Sequence, residues 1–214
     1  MIEYLVDDIN NLNIKHIIFD FDKTLYSSNS LDCEYLDFIE EAIVYLSKCS
    51  HEIAKQKMQK LGFVLGNTST PRMKDSCEFF GFSPQEWDNY RIENYFLPKC
   101  NLETVDNNLL SIINKKYDTS IVTTEIDINL NKKAKQLNIN LKNFDNIYSN
   151  SLQNMSLSKQ QIYKEIINSY QEAKNVIVIG DRFLVDIKPL LDLGGNGVLV
   201  SNVNEVNDFL KKLL

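Results

Sequence analysis

The chain has 214 residues, of which 43% are hydrophobic and 24% are charged, so its length suits one α/β core with room for a small inserted domain. A net charge of −6 at pH 7 argues against a nucleic-acid partner, which requires a basic surface, but allows a small anionic substrate at a local positive site. No apolar run approaches the roughly 20 residues needed to span a bilayer, so we expect no membrane partner and a cytoplasmic location. The oligomeric state is not predicted by the sequence.

The first predicted strand, His16–Phe19, is followed by a long stretch that shows only helical patterns. This stretch is much longer than the dozen or so residues that a crossover between parallel strands needs. We therefore expect residues 27–101 to form an inserted helical domain, and residues 1–26 and 102–214 to form the core. Within the insertion, helices are predicted at Leu31–Lys48, His51–Leu61, Pro71–Phe80 and Pro84–Phe96.

The remainder of the chain alternates between apolar strands and amphipathic helices. This alternation is typical of an α/β fold with a mostly parallel sheet and helices on both faces. Strands are predicted at Ser120–Thr123, Asn146–Tyr148, Val176–Gly180 and Gly197–Val200. Helices are predicted at Leu102–Lys116, Asp127–Leu137 and Leu157–Tyr170.

Two aspartates, Asp20 and Asp22, alternate directly after the first predicted strand. Ligands of open α/β sheets bind at the carboxyl ends of the strands, and period-two alternation places both side chains on one side of the chain. Two carboxylates this close repel one another, so they need a cation or a shared proton. An Asp-x-Asp sequence is also common at solvated strand ends, so this pair alone does not define a site.

A third aspartate, Asp181, follows the predicted strand Val176–Gly180. If this strand and the first one are neighbours in the sheet, Asp181 meets Asp20 and Asp22 at one edge. A site rich in carboxylate oxygens suits Mg²⁺, and we therefore expect these three residues to bind it. Asp181 also fits the N-cap of a helix, a role that does not exclude metal binding.

Two further positions are candidates for phosphate binding. Thr123 and Thr124 lie at a strand end before a predicted helix, where a hydroxyl and backbone N–H groups can hold phosphate oxygens, although helix capping explains a threonine there equally well. Lys159 lies at the start of a predicted helix, where its charge could neutralise a nucleophile and a phosphate together. A single lysine is otherwise most often a surface residue.

The order of these residues resembles the four-motif series of the haloacid dehalogenase (HAD) superfamily. The resemblance covers nearly the whole chain, and the insertion lies where this superfamily carries its helical cap. It implies a Rossmann-like core with an inserted all-helical cap, and a Mg²⁺-dependent phosphatase that acts on a small phosphorylated substrate. The motifs read Asp20-Phe21-Asp22-Lys23-Thr24, Thr123, Lys159, and Gly180-Asp181 with Asp186.

The resemblance also implies a role for each residue. Asp20 would be the nucleophile that forms an aspartyl-phosphate, and Asp22 would be the general acid and then the general base. Mg²⁺ would be held by Asp20, Asp181 and the backbone carbonyl of Asp22. Phosphate binding would fall to Thr123, Thr124 and Lys159, and Asp186 would orient Lys159 or a metal-bound water.

The sequence departs from the superfamily pattern at three motifs. The first motif has Lys23 where Gly or Asn is common. The second motif reads Thr-Thr where Thr-Asn is common, and the third reads Lys-Gln where Lys-Pro is common. These departures leave the phosphate contacts open. They also leave the identity of the catalytic lysine open, with Lys164 and Lys174 as alternatives that lie further from the expected helix start.

Two other functions remain open at this level. A phosphosugar mutase of the same superfamily keeps Asp22, and a catalytically inactive HAD-fold binding protein would keep the fold alone. A dehalogenase, in contrast, has no need of Asp22. The segment from Leu61 to Pro98 also resembles the cap of pyrimidine 5′-nucleotidase-like members, and its polar candidates for substrate recognition are Arg72, Lys74, Trp87, Tyr90 and Arg91.

Overall fold

The computed structural model describes residues 3–5, 13–28, 30–65, 71–94, 101–150, 158–170 and 172–214. The chain forms two compact units. Unit 1 comprises Met1–Ser28 and Leu102–Leu214, and unit 2 comprises Asn29–Asn101. No helix in the described part of the chain combines the length and the apolar character that crossing a membrane requires.

The strands of unit 1 form a six-stranded sheet and a separate two-stranded one. In chain order they are β1 (Glu3–Leu5), β2 (His16–Phe19), β3 (Tyr26–Ser27), β4 (Glu103–Thr104), β5 (Asp118–Ile126), β6 (Asn146–Asn150), β7 (Val176–Gly180) and β8 (Asn196–Leu199). The large sheet has the order β1-β8-β7-β2-β5-β6, and all its neighbouring strands are parallel except β1 and β8. The predicted α/β fold with a mostly parallel sheet is confirmed, with the antiparallel edge strand β1 as an unpredicted addition.

The central strands β2 and β7 are buried on both faces, as their uninterrupted apolar sequences predict. Residues 17–19 and 176–179 are all 0% exposed. The register places Phe19 beside Ile121 of β5 on one side and beside Ile179 of β7 on the other. The carboxyl ends of these three strands therefore meet at one edge of the sheet.

The short strands β3 and β4 pair with each other in antiparallel orientation, outside the large sheet. Tyr26 lies opposite Thr104, and Ser27 lies opposite Glu103. The hydroxyl of Ser27 also accepts the N–H of Val203 at 2.9 Å. The expectation that this stretch holds only helices is therefore wrong at Ser27, because a two-residue strand is too short to show an alternating pattern.

The regular structure described in unit 2 is helical: α1 (Leu31–Ser47), α2 (His51–Lys60), α3 (Met73–Phe80) and α4 (Pro84–Glu93). Helix α4 begins with a capping box, in which the Ser83 hydroxyl accepts the Glu86 N–H at 3.2 Å and the Glu86 carboxylate accepts the Ser83 N–H at 2.7 Å. The helix ends at Glu93 with Asn94 as its C-cap, earlier than predicted, and residues 95 and 96 of the predicted range lie outside the described residues. Unit 2 has its own apolar core, made by Ile39, Ala42, Ile43, Ala54, Met58, Phe63, Met73, Cys77, Phe80, Phe82 and Trp87.

The helices of unit 1 are α5 (Asn107–Asn114), α6 (Asp127–Gln136), α7 (Lys159–Tyr170), α8 (Lys188–Leu191) and α9 (Val203–Lys212). Helix α5 begins later than predicted because Asp106 caps it, accepting the N–H of Asn108 at 2.8 Å. Helix α9 was not predicted from the sequence. Its buried residues, Val203, Val206, Phe209 and Leu210, nevertheless follow helical spacing.

A hydrogen-bond chain that starts at the buried His16 joins β2, β5 and α7 away from the carboxyl ends of the strands. The ring of His16 contacts the Tyr170 hydroxyl through Nδ1 at 2.9 Å and the Ser120 hydroxyl through Nε2 at 2.8 Å. Because the Tyr170 hydroxyl donates its proton to Asp118 at 2.6 Å, it accepts from His16, so Nδ1 carries the proton and Nε2 accepts from Ser120. Burial lowers the pKa of His16 to about 4, against the opposing effect of Asp118 and Asp145.

We predict that His16 stays neutral from about pH 8 down to about pH 5, because burial disfavours its charged form. Below the ordinary histidine pKa, His16 binds a proton in the unfolded chain but not in the folded chain. The free energy of unfolding therefore decreases as the pH falls from about 6.5 to about 4. Titration of the two histidine rings, followed by ¹⁵N NMR, tests this prediction. The His51→Gln variant identifies which ring signals belong to His16. A His16 ring that titrates with a midpoint near its ordinary value would contradict it.

Candidate active site

Three carboxylates converge at the carboxyl ends of β2 and β7. Asp20 follows β2, Asp181 follows β7, and Asp186 lies in a π-helical turn at Phe183–Ile187. Each offers an oxygen, and these oxygens all lie within 4.8 Å of one another. The three residues are 3%, 9% and 0% exposed, so their charges are held largely out of water.

The conformation after β7 explains how Asp186 reaches this cluster. Its Oδ2 accepts the N–H of Arg182 at 2.9 Å, which folds the turn back over the strand end. A Cβ atom at position 180 would lie 2.5 Å from the Cβ of Asp186, closer than real side-chain atoms approach. Gly180 is therefore required for the close approach of Asp186, which gives a physical reason for the Gly-Asp pair of the motif.

Lys159 joins two of the three carboxylates. It is the first residue of α7 and is 5% exposed. Its Nζ lies 2.6 Å from Oδ1 of Asp20 and 2.7 Å from Oδ1 of Asp186. The alternatives Lys164 and Lys174 are both exposed, so the geometry favours Lys159 as the lysine of the site.

The pKa shifts of the cluster indicate that the neighbouring cations do not fully offset the burial of Asp20 and Asp181. Burial raises the pKa of Asp20 to about 7 despite Lys159, and burial with the neighbouring Asp186 raises the pKa of Asp181 to about 6. Burial acts on Asp186 in the same sense, but Lys159 and Arg182 outweigh it and lower its pKa. A divalent cation would supply the missing charge, and a donor set of carboxylate oxygens fits Mg²⁺.

Lys23 adds a further cation beside this cluster. Its Nζ lies 3.3 Å from Oδ2 of Asp181, and its side chain is 37% exposed. Its backbone is left-handed, with φ of 63°, a conformation that favours glycine or asparagine. The unusual lysine at this motif position therefore places a positive charge on one of the expected metal ligands.

The Asp22 side chain takes a different direction from that of Asp20. Its Oδ1 accepts from the Tyr26 hydroxyl at 2.5 Å and from Lys133 Nζ at 2.8 Å. The Nζ of Lys133 also lies 2.5 Å from Oε2 of Glu125. The expectation that the side chains of Asp20, Asp22 and Asp181 meet at one point is therefore wrong for Asp22, because the chain turns at residues 22–25 instead of continuing in an extended conformation. Among the described residues the third carboxylate of the cluster is Asp186, so the expected contact of Asp22 with a metal rests on its backbone carbonyl.

Sequence reasoning missed Lys133 and Glu125. Burial alone would lower the pKa of Lys133, but Asp22 and Glu125 outweigh it and raise the pKa. One signal was present in the sequence: Lys133 lies beside Ala134 and three residues after Leu130, within the buried stripe of α6. A lysine in an apolar stripe is rarely buried unless it is paired.

The two candidate phosphate-binding threonines lie where β5 becomes irregular. The pairing of β5 with β6 changes register between Val122 and Ile126, so the end of the strand is irregular. Thr123 is buried, and its hydroxyl oxygen accepts the N–H of Glu125 at 3.1 Å. That contact leaves the hydroxyl proton able to donate to an anion. Thr124 is partly exposed beside it.

The residues predicted to recognise substrate in unit 2 make contacts within that unit. Arg72 pairs with Asp75 at 2.7 Å. The buried Asp88 accepts from Lys74 at 2.8 Å and from Arg91 at 3.1 Å. Trp87, only 2% exposed, belongs to the apolar core of unit 2, and Tyr90 packs against that core. These contacts account for the residues as parts of the unit 2 structure.

The comparisons with known proteins identify the family and the fold of the chain. Residues 14–194 match the family model described as haloacid dehalogenase-like hydrolase. Similar solved structures include a haloacid dehalogenase-like family hydrolase from Streptococcus pneumoniae, with 23% identity, a TM-score of 0.51, and coverage of 86% of this chain and 83% of that chain. The putative hydrolase YfnB from Bacillus subtilis, bound to magnesium, has 15% identity, a TM-score of 0.52, and coverage of 92% and 99%. A predicted phosphoglycolate phosphatase from Haemophilus somnus has 18% identity, a TM-score of 0.51, and coverage of 86% and 84%.

The comparison with curated proteins finds no match. At these levels of identity the solved structures establish the fold.

We predict that Mg²⁺ binds more tightly at about pH 8 than at about pH 6, because Asp20 and Asp181 hold protons at the lower pH that a metal must displace. Calorimetric titration of Mg²⁺ in buffers of different ionisation enthalpy measures the protons released. Asp181→Asn should bind Mg²⁺ more weakly at both pH values, whereas the exposed Asp208→Asn should behave as the wild type. Equal affinity at both pH values, without proton release, would contradict the prediction.

Proposed function

The chain belongs to the haloacid dehalogenase-like hydrolase family, and we propose that it is a Mg²⁺-dependent phosphatase whose nucleophile is Asp20. The observation that carries the proposal is the contact of Lys159 with both Asp20 and Asp186 inside the buried carboxylate cluster. This arrangement holds a carboxylate, a cation and a set of metal-binding oxygens at the edge of the sheet where α/β proteins bind ligands.

The metal would be held by Asp20, Asp181 and the backbone carbonyl of Asp22, with Asp186 available to a metal-bound water. Bound Mg²⁺ supplies positive charge that reduces the repulsion between a carboxylate nucleophile and a phosphate. Asp20 benefits most from this charge, because burial raises its pKa to about 7 and a nucleophilic carboxylate must be ionised.

In the first proposed step, a carboxylate oxygen of Asp20 attacks phosphorus in line with the ester bond. A bond forms between Asp20 and phosphorus as the bond from phosphorus to the ester oxygen breaks. The carboxylic acid of Asp22 gives its proton to the departing oxygen, which leaves as an alcohol. The product of this step is an aspartyl-phosphate on Asp20.

In the second step, the ionised Asp22 takes a proton from a water molecule as the water oxygen attacks phosphorus. The bond between phosphorus and Asp20 breaks, which releases inorganic phosphate and restores both carboxyl groups to their starting states. The non-bridging oxygens would be bound in both steps by Lys159, the Thr123 hydroxyl and the Thr124 N–H. These groups stabilise charge on the transferred phosphoryl group.

We further propose that the substrate is a small phosphorylated metabolite, a nucleotide or sugar phosphate, and that unit 2 is the helical cap. The proposal is supported by the family membership and by the similarity in fold to a predicted phosphoglycolate phosphatase. A panel of phosphorylated metabolites, assayed for phosphate release with Mg²⁺, tests it directly. Transfer of phosphate between sugar positions without phosphate release would instead indicate a mutase.

We predict that Asp20→Asn lowers the rate of p-nitrophenyl phosphate hydrolysis by at least about 10³-fold, because the amide cannot attack phosphorus. Chelation by EDTA should abolish wild-type activity and added Mg²⁺ should restore it. The measurement is steady-state release of nitrophenol, with circular dichroism to verify folding and Asp208→Asn as an exposed control. Near-normal turnover by Asp20→Asn, or full activity after exhaustive chelation, would exclude the proposed mechanism.

We predict that Lys159→Ala lowers kcat/KM by on the order of 10²-fold or more, because it removes the cation that contacts the nucleophile and the phosphate. Lys164→Ala is the matched control, since it removes an exposed lysine from the same helix. It should leave kcat/KM nearly unchanged. Equal losses in the two variants would mean that the lysine of the site is wrongly assigned.

A further inference from the structure

A buried lysine lies behind the proposed general acid. The Nζ of Lys133 lies 2.8 Å from Oδ1 of Asp22 and 2.5 Å from Oε2 of Glu125. The lysine and glutamate side chains are 3% and 6% exposed, whereas that of Asp22 is 38% exposed. Asp22 therefore faces solvent on one side and an internal ion pair on the other.

The need to balance charge does not explain this arrangement. A buried lysine must be paired, but Glu125 already supplies one full negative charge within hydrogen-bonding distance. Asp22 is exposed enough to be hydrated without a buried partner. Apolar residues of similar volume can often replace a buried ion pair at no loss of stability, so stability alone does not require the pair. What the lysine adds beyond Glu125 is a fixed contact with the Asp22 carboxylate.

Three separate elements hold this contact in place. Glu125 comes from the irregular end of β5, and its Oε1 accepts the N–H of Ile126 at 2.8 Å, which fixes the carboxylate. Lys133 comes from α6, where it lies on the same buried face as Leu130 and Ala134. Tyr26 comes from β3. The position of each donor or acceptor is thus fixed by a different element of the fold, which makes the support of the Asp22 carboxyl group rigid.

Two donors converge on the same oxygen of Asp22. The Tyr26 hydroxyl lies 2.5 Å from Oδ1, and Lys133 Nζ lies 2.8 Å from it. Contacts from two directions on one oxygen restrict rotation of the carboxyl group about its side-chain bonds. Restricted rotation fixes where Oδ2 points, and proton transfer in catalysis requires such a fixed donor position.

We propose that Lys133, supported by Glu125, is a positioning residue that holds Asp22 where it can protonate the leaving group. The inference rests on the proposed function, since it assigns Asp22 the role of general acid. It leads to a specific expectation about substrates. A poor leaving group, which needs a proton to depart, depends on the position of Asp22 more than a good leaving group does.

The test compares two substrates that differ mainly in the leaving group. Phenyl phosphate releases a more basic phenolate than p-nitrophenyl phosphate does, so its hydrolysis depends more on the general acid. For Lys133→Met we expect the ratio of kcat/KM, phenyl over p-nitrophenyl, to fall by about tenfold or more. Asp22→Asn should show a fall at least as large. The ratio does not depend on the concentration of folded enzyme, so it remains valid if a variant folds poorly.

A double variant separates positioning from a purely structural role. Lys133→Met alone leaves Glu125 buried without this cation and should lower the melting temperature. Glu125→Gln with Lys133→Met removes both charges and keeps an acceptor for the Ile126 N–H, so stability should recover. The ratio of kcat/KM should stay low in the double variant. Lys135→Met, an exposed change on the same helix, should leave both stability and ratio unchanged.

Two outcomes would overturn the inference while leaving the proposed function intact. One is an unchanged ratio in both Lys133 variants, and the other is a ratio that recovers together with stability in the double variant. An unchanged ratio in Asp22→Asn would show that Asp22 is not the general acid, which also removes the basis of the inference. If the wild type hydrolyses neither phosphate in the presence of Mg²⁺, the proposed function itself fails.

Discussion

The candidate site depends on one electrostatic constraint, the crowding of three buried carboxylates within 4.8 Å of one another. Like charges at this distance in a region of low dielectric are strongly unfavourable unless cations offset them. Lys159 offsets part of the charge through its contacts with Asp20 and Asp186, yet burial still raises the pKa of Asp20 to about 7. A divalent cation bound at the cluster, as proposed, would offset the remaining negative charge and would therefore stabilise the folded state.

The sheet enforces this crowding because it fixes the chain on both sides of the cluster. Strands β2 and β7 are fully buried neighbours, so the residues that follow them cannot separate without disrupting the core. The absence of a side chain at Gly180 lets the next turn fold back until Asp186 lies against the strand end. The burial of apolar side chains in unit 1 thus offsets the unfavourable free energy of bringing these carboxylates together, as is common at functional sites.

The fold and two of the three clustered carboxylates follow from local patterns that the sequence displays, whereas the position of Asp186 depends on the turn that folds back after Gly180. Asp20 and Asp181 each end an apolar run, and parallel strands bring such ends together whatever the intervening sequence. The network of Lys133, Glu125 and Tyr26 could not be predicted in this way. The apolar stripe of α6 indicates that Lys133 is buried, but the partners of Lys133 depend on the irregular end of β5, which has no periodic signature. The strands β3 and β4 escaped prediction for a related reason, since two residues are too few to establish a pattern.

The two aspartates of the first motif are supported by two different lysines, and the difference in their environments matches their proposed tasks. Asp20 is 3% exposed and shares Lys159 with another buried carboxylate, which suits a nucleophile that must be shielded from water. The Asp22 side chain is 38% exposed and is held from behind by Lys133, which suits a group that exchanges protons with an alcohol and with water. If a single lysine contacted both aspartates, a change in the charge of Asp20 would also move the Asp22 carboxyl group. In the proposed mechanism, separate supports would allow the phosphoryl group to bind covalently to Asp20 without displacing Asp22, the residue proposed to activate water in the second step.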